Sequence, residues 1–327
     1  MEFVEITDRA VWDEFVARSP WGHPLQLWGW GDTKAAGQWQ PYRLALTDGG
    51  QIAAAVQLLL WKLPKVNQYI VYAPRGPVTE PGSPLTQRLL DGVAGWAREH
   101  HALYVRIEPA WTSGAPRGWV RAHNELQMAA TYTIDLRKAE DDLQEPMSRK
   151  HRQYIRKAER DGVKVERVAV GEIGAMYELY LDTAKRAGFG IHRETYYRKL
   201  SAELGERNYL YQATYEGQPV AFLWLAAAGR TACELYGGVN AAGADIKANY
   251  ILKWKAIEAM KAAGFENYDF NGRLNEGVSR FKDGFGPDET DYIGAYDYLI
   301  NKAAYQLWER FWPVIKPLGR KLKQLFR

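Results

Sequence analysis

The sequence predicts an α/β protein made of two tandem copies of one unit with mixed sheets. Three observations lead there. An order of hairpin, strand, helix and strand occurs twice within 327 residues, a length that can bury two cores. The interval from Tyr72 to Tyr104 is matched by the interval from Tyr236 to Tyr268. Hydrophobic residues make up 46% of the chain and charged residues 25%, the balance of a globular protein.

In the first copy, residues 42–61 read as an alternating strand, an Asp-Gly turn and a second apolar strand. Residues 69–78 form the next strand and run into a Pro/Gly loop. A helix is expected from Ser83 to His100, with Leu85, Leu89, Val93 and Trp96 on one face, followed by a strand at 102–109. The second copy repeats this as a hairpin at 209–227, a strand at 231–240, a helix at 248–264 ending on Gly264, and a strand at 265–272. Between the copies lies a cationic helix, "MSRKHRQYIRKAER", closed by Gly162. It reads either as a solvated linker or as a polyphosphate or RNA contact. The domain reading is 1–146 and 147–295, with 296–327 packing back on the first unit.

Charge and composition exclude several classes. The net charge is +4, but residues 301–327 carry +6 and the remainder −2. The single cysteine, Cys233, sits in an apolar run and allows no internal disulfide. The six histidines lack HxH or HExxH spacing, so no metal is expected. The acidic N-terminus is not a signal peptide, and no apolar run approaches the ~20 residues of a membrane span. A cytoplasmic monomer is expected.

Hairpin, strand, helix, strand is the core order of the N-acetyltransferase-like (GNAT) fold. Two such units, together with "LQLWGWGDTKAAGQW" (25–39), "YAPRGPV" (72–78), "RIEP" (106–109), "RKAERDGVKV" (156–165), "YGGVNAAGADIKANYIL" (236–252) and "RFKDGFGP" (280–287), resemble the Fem aminoacyltransferases. These are the non-ribosomal peptidyltransferases that build peptidoglycan cross-bridges. The resemblance covers nearly the whole chain. It implies transfer of an amino acid from aminoacyl-tRNA, as co-substrate, to an amine on UDP-MurNAc-pentapeptide or its lipid-linked form (lipid II), with no cofactor. The short step from "MSRKHRQYIRKAER" to "DGVKVERV" matches members without a helical arm.

The resemblance also assigns residues. Lys34 and the pair Arg193 and Tyr197 match positions that contact the precursor, and Tyr236 matches a further precursor tyrosine. Spaced four apart, Arg193 and Tyr197 are expected on one helical face, where a guanidinium can fork onto phosphate oxygens. The stretch "DFNGRLNEGVSRFKDGFGP" (269–287) has four glycines and little core patterning, so it reads as a ligand loop rather than a helix or strand. In it Phe281 would stack on a terminal base of tRNA and Lys282 would meet a phosphate. Glu108 stands where the family usually has Asp. It is the candidate general base, or it simply closes its strand.

Other readings stay open. "KRAGFG" (185–190) approximates a CoA phosphate loop, but follows a helix-like run. A GNAT-like acyl- or aminoacyltransferase acting on a protein or small amine is the alternative function. A non-catalytic membrane-surface module is the third. The tail has Ala304, Leu307, Trp308 and Phe311 at helical spacing, then Leu318, Leu322 and Phe326 in a basic, apolar-faced segment. Residues 318–327 are expected at an anionic membrane, or on tRNA, or to be inert.

Overall fold

Alternating apolar residues and the Asp48–Gly49 turn shape the first hairpin. The computed structural model describes residues 1–64, 66–273 and 276–310. In chain order the first unit contains β1 (Glu2–Glu5), α1 (Arg9–Arg18), α2 (Trp28–Ala35), β2 (Trp39–Asp48), β3 (Gln51–Lys62), β4 (Tyr69–Arg75), α3 (Pro84–Glu99), β5 (Ala102–Pro109) and β6 (Val120–Arg121). There follow β7 (Ala130–Asp135), α4 (Glu140–Gln144), α5 (Arg149–Arg160), β8 (Lys164–Arg167), α6 (Gly174–Ala187) and α7 (Glu194–Leu204). Then come β9 (Asn208–Tyr215), β10 (Gln218–Ala228), β11 (Thr231–Val239), α8 (Ala241–Asp245), α9 (Ala248–Ala262), β12 (Asn267–Asp269), α10 (Glu276–Asp283), β13 (Asp288–Asp291) and β14 (Tyr296–Leu299).

Two seven-stranded mixed sheets result, ordered β1-β2-β3-β4-β5-β14-β6 and β13-β7-β12-β11-β10-β9-β8. In each, one parallel pair follows the hairpin: β4 with β5, and β11 with β12. The crossover helices α3 and α9 cover them. Ser83 caps α3 and Pro84 starts it, with Leu89, Leu90, Val93 and Ala97 facing the sheet. Most of α9 is buried, including Ile251, Leu252, Trp254 and Ile257.

The strand after each parallel pair comes from the other half of the chain. β7 pairs with β12, and β14 pairs with β5. A division at 146/147 therefore cuts β7 away from the sheet it belongs to. A buried ion pair fixes β14: Arg106 Nε and Nη2 each lie 2.7 Å from a carboxylate oxygen of Asp297, which also accepts from the Tyr305 hydroxyl at 2.7 Å. Tyr305, in the helical stretch 302–310, packs on Leu63, Ile70 and Leu103. Phe311 and the segment 318–327 lie outside the described residues.

A third core joins the two units. Trp12, Leu25, Leu27 and Trp30 of the first pack with Tyr197, Leu200, Phe222 and Trp224 of the second. Gly29 permits this contact, because a Cβ there would stand 2.1 Å from the Glu203 carbonyl oxygen at the end of α7.

Candidate active site

The close packing of α2 on α7 is what builds the site. Asp13 accepts the Trp28 N–H at 2.8 Å and so caps α2 from α1. Arg43 pairs with Asp32 at 2.6 Å and lies 3.6 Å over the Trp28 ring. With α2 so held, Lys34 reaches the second unit. Its ammonium donates to the Tyr196 hydroxyl at 2.7 Å and lies 4.5 Å over the Trp30 ring.

Around this contact stands an aromatic cluster. Tyr197 meets Tyr236 edge-on at 5.2 Å between ring centroids, Tyr196 at 5.3 Å and Tyr180 at 5.8 Å. His192 stacks on Tyr196 at 4.0 Å. Burial pushes the phenols up, Tyr180 to about 12 and Tyr236 well above the usual value, where hydrogen bonding to Tyr196 adds to it. They stay protonated at neutral pH. The cluster is thus one ammonium among phenol donors, a composition suited to a ligand rich in anionic oxygen.

Lys34, Tyr197 and Tyr236 are therefore brought together. The expected shared face of Arg193 and Tyr197 is corrected: Arg193 precedes α7 with extended backbone (φ −66°, ψ 155°). Its side chain is exposed at the helix start, whereas Tyr197 is 1% exposed and its hydroxyl accepts the His192 N–H at 3.2 Å. Tyr196, one residue earlier, holds the position that meets Lys34. The sequence signal for it was present in the doubled "YY", but periodicity alone does not say which tyrosine faces inward.

Phe281 and Lys282 form a separate group. The loop reading of 269–287 is corrected, since Glu276–Asp283 is helical. Phe281 in its last turn packs on Phe285 at 5.4 Å, and of the four glycines only Gly277 falls inside the helix. Lys282 is buried and donates to the carbonyl oxygens of Phe270 and Gly272 at 2.7 and 2.8 Å. It thereby ties α10 to the end of β12, leaving one ammonium proton. Phe281 is half-buried against Tyr250 at 5.0 Å.

Glu108 sits apart from both groups. Its carboxylate accepts from the Tyr72 hydroxyl and the Leu126 N–H, each at 2.5 Å, and from the Gln127 N–H at 2.8 Å. Burial raises its pKa against these bonds. All three donors come from β4 and the chain between β6 and β7, so the geometry favours anchoring that segment over general-base work.

One buried constellation was not anticipated. A His23 ring nitrogen, Cys233 Sγ and an Asp269 oxygen lie within 4.8 Å of one another. His23 Nδ1 accepts the Leu25 N–H at 3.1 Å, which puts the proton on Nε2 and leaves it without a partner. Asp269 already accepts from Thr131, Asn271 and Tyr292. Burial, and after it the nearby Arg75 charge, holds His23 well below the ordinary histidine value. A proton-bearing nitrogen beside a guanidinium is a poor metal ligand. "KRAGFG" is the C-terminus of α6, with Gly188 at φ 73° and the Gly188 and Phe189 N–H groups bonded to the Ala184 carbonyl. It presents no helix N-terminus to a phosphate.

Two GNAT-type units joined through a shared core define a tandem acyltransferase architecture. Comparison with known proteins agrees. The FemAB family model matches residues 7–116, and the acetyltransferase (GNAT) domain model matches 147–283. The lipid II:glycine glycyltransferase of Staphylococcus epidermidis is 24% identical over 417 aligned positions, spanning 99% of this chain and 100% of the relative. The crystal structure of FemX has a TM-score of 0.85 at 22% identity, covering 94% of this chain and 99% of that one. A tandem GNAT protein from the clavulanic acid biosynthesis pathway has a TM-score of 0.50 at 14% identity, covering 90% and 97%. The chain is a transferase of tandem GNAT type, similar to Fem proteins along nearly its whole length. α5 ends at Arg160 and β8 begins at Lys164, with no helical arm between. Among the described residues no helix is long and apolar enough to cross a membrane.

Proposed function

We propose that this chain transfers an amino acid from aminoacyl-tRNA to the amino group of a peptidoglycan precursor stem peptide, carried on UDP-MurNAc-pentapeptide or lipid II. The observation that carries the proposal is the meeting of Lys34 with Tyr196, Tyr197 and Tyr236 across the unit interface. A diphosphate and several carboxylates supply the anionic oxygens that such donors bind. The name of the staphylococcal relatives, lipid II:glycine glycyltransferase, supports the same substrate class.

The chemistry asks little of the protein beyond placement. The acceptor amine attacks the ester carbonyl carbon, an amide bond forms, and the bond to the ribose oxygen breaks. The amine proton leaves with that oxygen, directly or through a substrate phosphate. Holding both substrates in place supplies much of the rate. No cofactor is required, because the ester already carries the activation. Phe281 and Lys282 would face the acceptor end of the tRNA, and Lys282 has one ammonium proton beyond its two carbonyl bonds.

The test is incubation with a mixture of aminoacyl-tRNAs and UDP-MurNAc-pentapeptide, read by mass spectrometry. A precursor heavier by one aminoacyl residue is expected. Transfer from acyl-CoA to the precursor or to another amine, with none from tRNA, would overturn the proposal.

A further inference from the structure

The first turn of α5 is built against its own stability. The helix N-terminus carries partial positive charge, and acids belong there. Arg149, Lys150 and Arg152 occupy that turn, and no acid does. Arg152 is consumed by the carbonyls of Gln144, Glu145 and Met147. Farther along, Lys157 and Arg160 lean on Asp161. Arg149 and Lys150 are exposed and take part in no ion pair among the described residues.

These cations are not isolated from the motif at 280–287. The Ser148 N–H donates to the Gly284 carbonyl at 2.9 Å, and His151 Nε2 lies 3.0 Å from the Phe281 carbonyl oxygen. Gly284 allows the approach, since a Cβ there would stand 1.9 Å from the His151 ring. Beside this junction runs a strip of half-buried rings. Tyr154 meets Tyr250 at 4.9 Å, and Tyr250 meets Phe281 at 5.0 Å. Lys150 and Lys247 lie over the Tyr154 ring at 5.6 and 5.5 Å.

We infer that Arg149, Lys150, Tyr154, Lys247 and Tyr250 extend the surface at Phe281 into a binding strip for the single-stranded 3′ end of a tRNA. Cations alternating with rings match a strand in which phosphates alternate with bases, and such strips bind without reading sequence. The positive helix terminus adds to the attraction. The inference rests on the reading that aminoacyl-tRNA is the donor substrate, and names where its end lies.

Lys150→Glu and Tyr154→Ala test it, with the Michaelis constants for aminoacyl-tRNA and for UDP-MurNAc-pentapeptide measured separately at several salt concentrations. Lys150→Glu is expected to raise the constant for tRNA about tenfold and to lower its logarithmic salt slope by roughly 0.7 per lost phosphate contact. Tyr154→Ala is expected to raise the constant and leave the slope alone. Neither changes the precursor constant. Wild-type tRNA constants and slope in both variants overturn the strip. So does a Lys150→Glu variant that loses sedimentation with anionic vesicles while its tRNA constant stands. If the wild type itself uses no tRNA, the underlying reading fails instead, and the two failures are distinct.

Discussion

Tyr196 shows how a single hydroxyl can organise a site. It accepts from the Lys34 ammonium at 2.7 Å and is hydrogen-bonded to Tyr236 as well. Tyr196→Phe removes an acceptor from a charged donor, a loss of about 1.5–3 kcal/mol in favourable settings. The expected result is precursor affinity roughly tenfold weaker or more, with an unchanged unfolding midpoint. Undiminished affinity would show that Tyr196 does not position Lys34 for ligand. His23 and His151 make a second prediction. Burial is the first cause holding each below the ordinary histidine value, with Arg75 adding at His23 and the Lys150 charge at His151, against the hydrogen bond to Phe281. The unfolded chain takes up these protons near pH 6.5 and the folded chain does so only lower. Stability is thus complete above about pH 7 and declines as pH falls through 6.5 toward the folded values. His23→Gln and His151→Gln should each flatten denaturation stability measured between pH 7 and pH 5; an unaltered slope in both would contradict this. Lys34 and Tyr236 were legible through motif resemblance. Tyr196 and His23 were not, because their roles depend on which face of a turn points across a unit boundary.

Among the elements, β14 depends most on one pair. Asp297 sits opposite Arg106 in register, wholly buried and bonded through both oxygens. Asp297→Ala leaves a buried guanidinium with only the more distant Glu309 carboxylate, 3.7 Å away, and should cost about 3–5 kcal/mol in chemical denaturation. Arg106→Met combined with Asp297→Leu should cost less, since only the less buried Glu309 then loses a partner. A cost below about 1 kcal/mol for the single change would mean that water already reaches the pair. The hairpins and crossover helices were legible because period and turn residues mark them locally. The helix at 276–283 was missed because four glycines nearby outweighed the spacing of Phe281 and Phe285. The return of β14 to the first sheet was expected, whereas the placement of β7 in the second left no local trace, since a strand's pattern shows which face is buried and not which sheet receives it.

At the scale of the molecule, the two units are not separable parts. Each sheet takes a strand from the other half, and α2 with α7 closes a core between them. Fragments 1–146 and 147–327 should therefore each fail to unfold cooperatively when made alone; a sharp transition in either would contradict the shared core. Duplication itself was legible from the repeated order of elements, and the interface was not, because apolar residues such as Trp12 and Trp224 read only as core. That interface holds the central claim, that anionic precursor binds where Lys34 of the first unit meets the tyrosines of the second. Calorimetric titration of UDP-MurNAc-pentapeptide into the wild type and into Lys34→Met tests it most directly. The account predicts saturable binding to one site in the wild type, and affinity at least about tenfold weaker in the variant, as loss of a charged hydrogen bond requires. Equal affinity in the two proteins would contradict it.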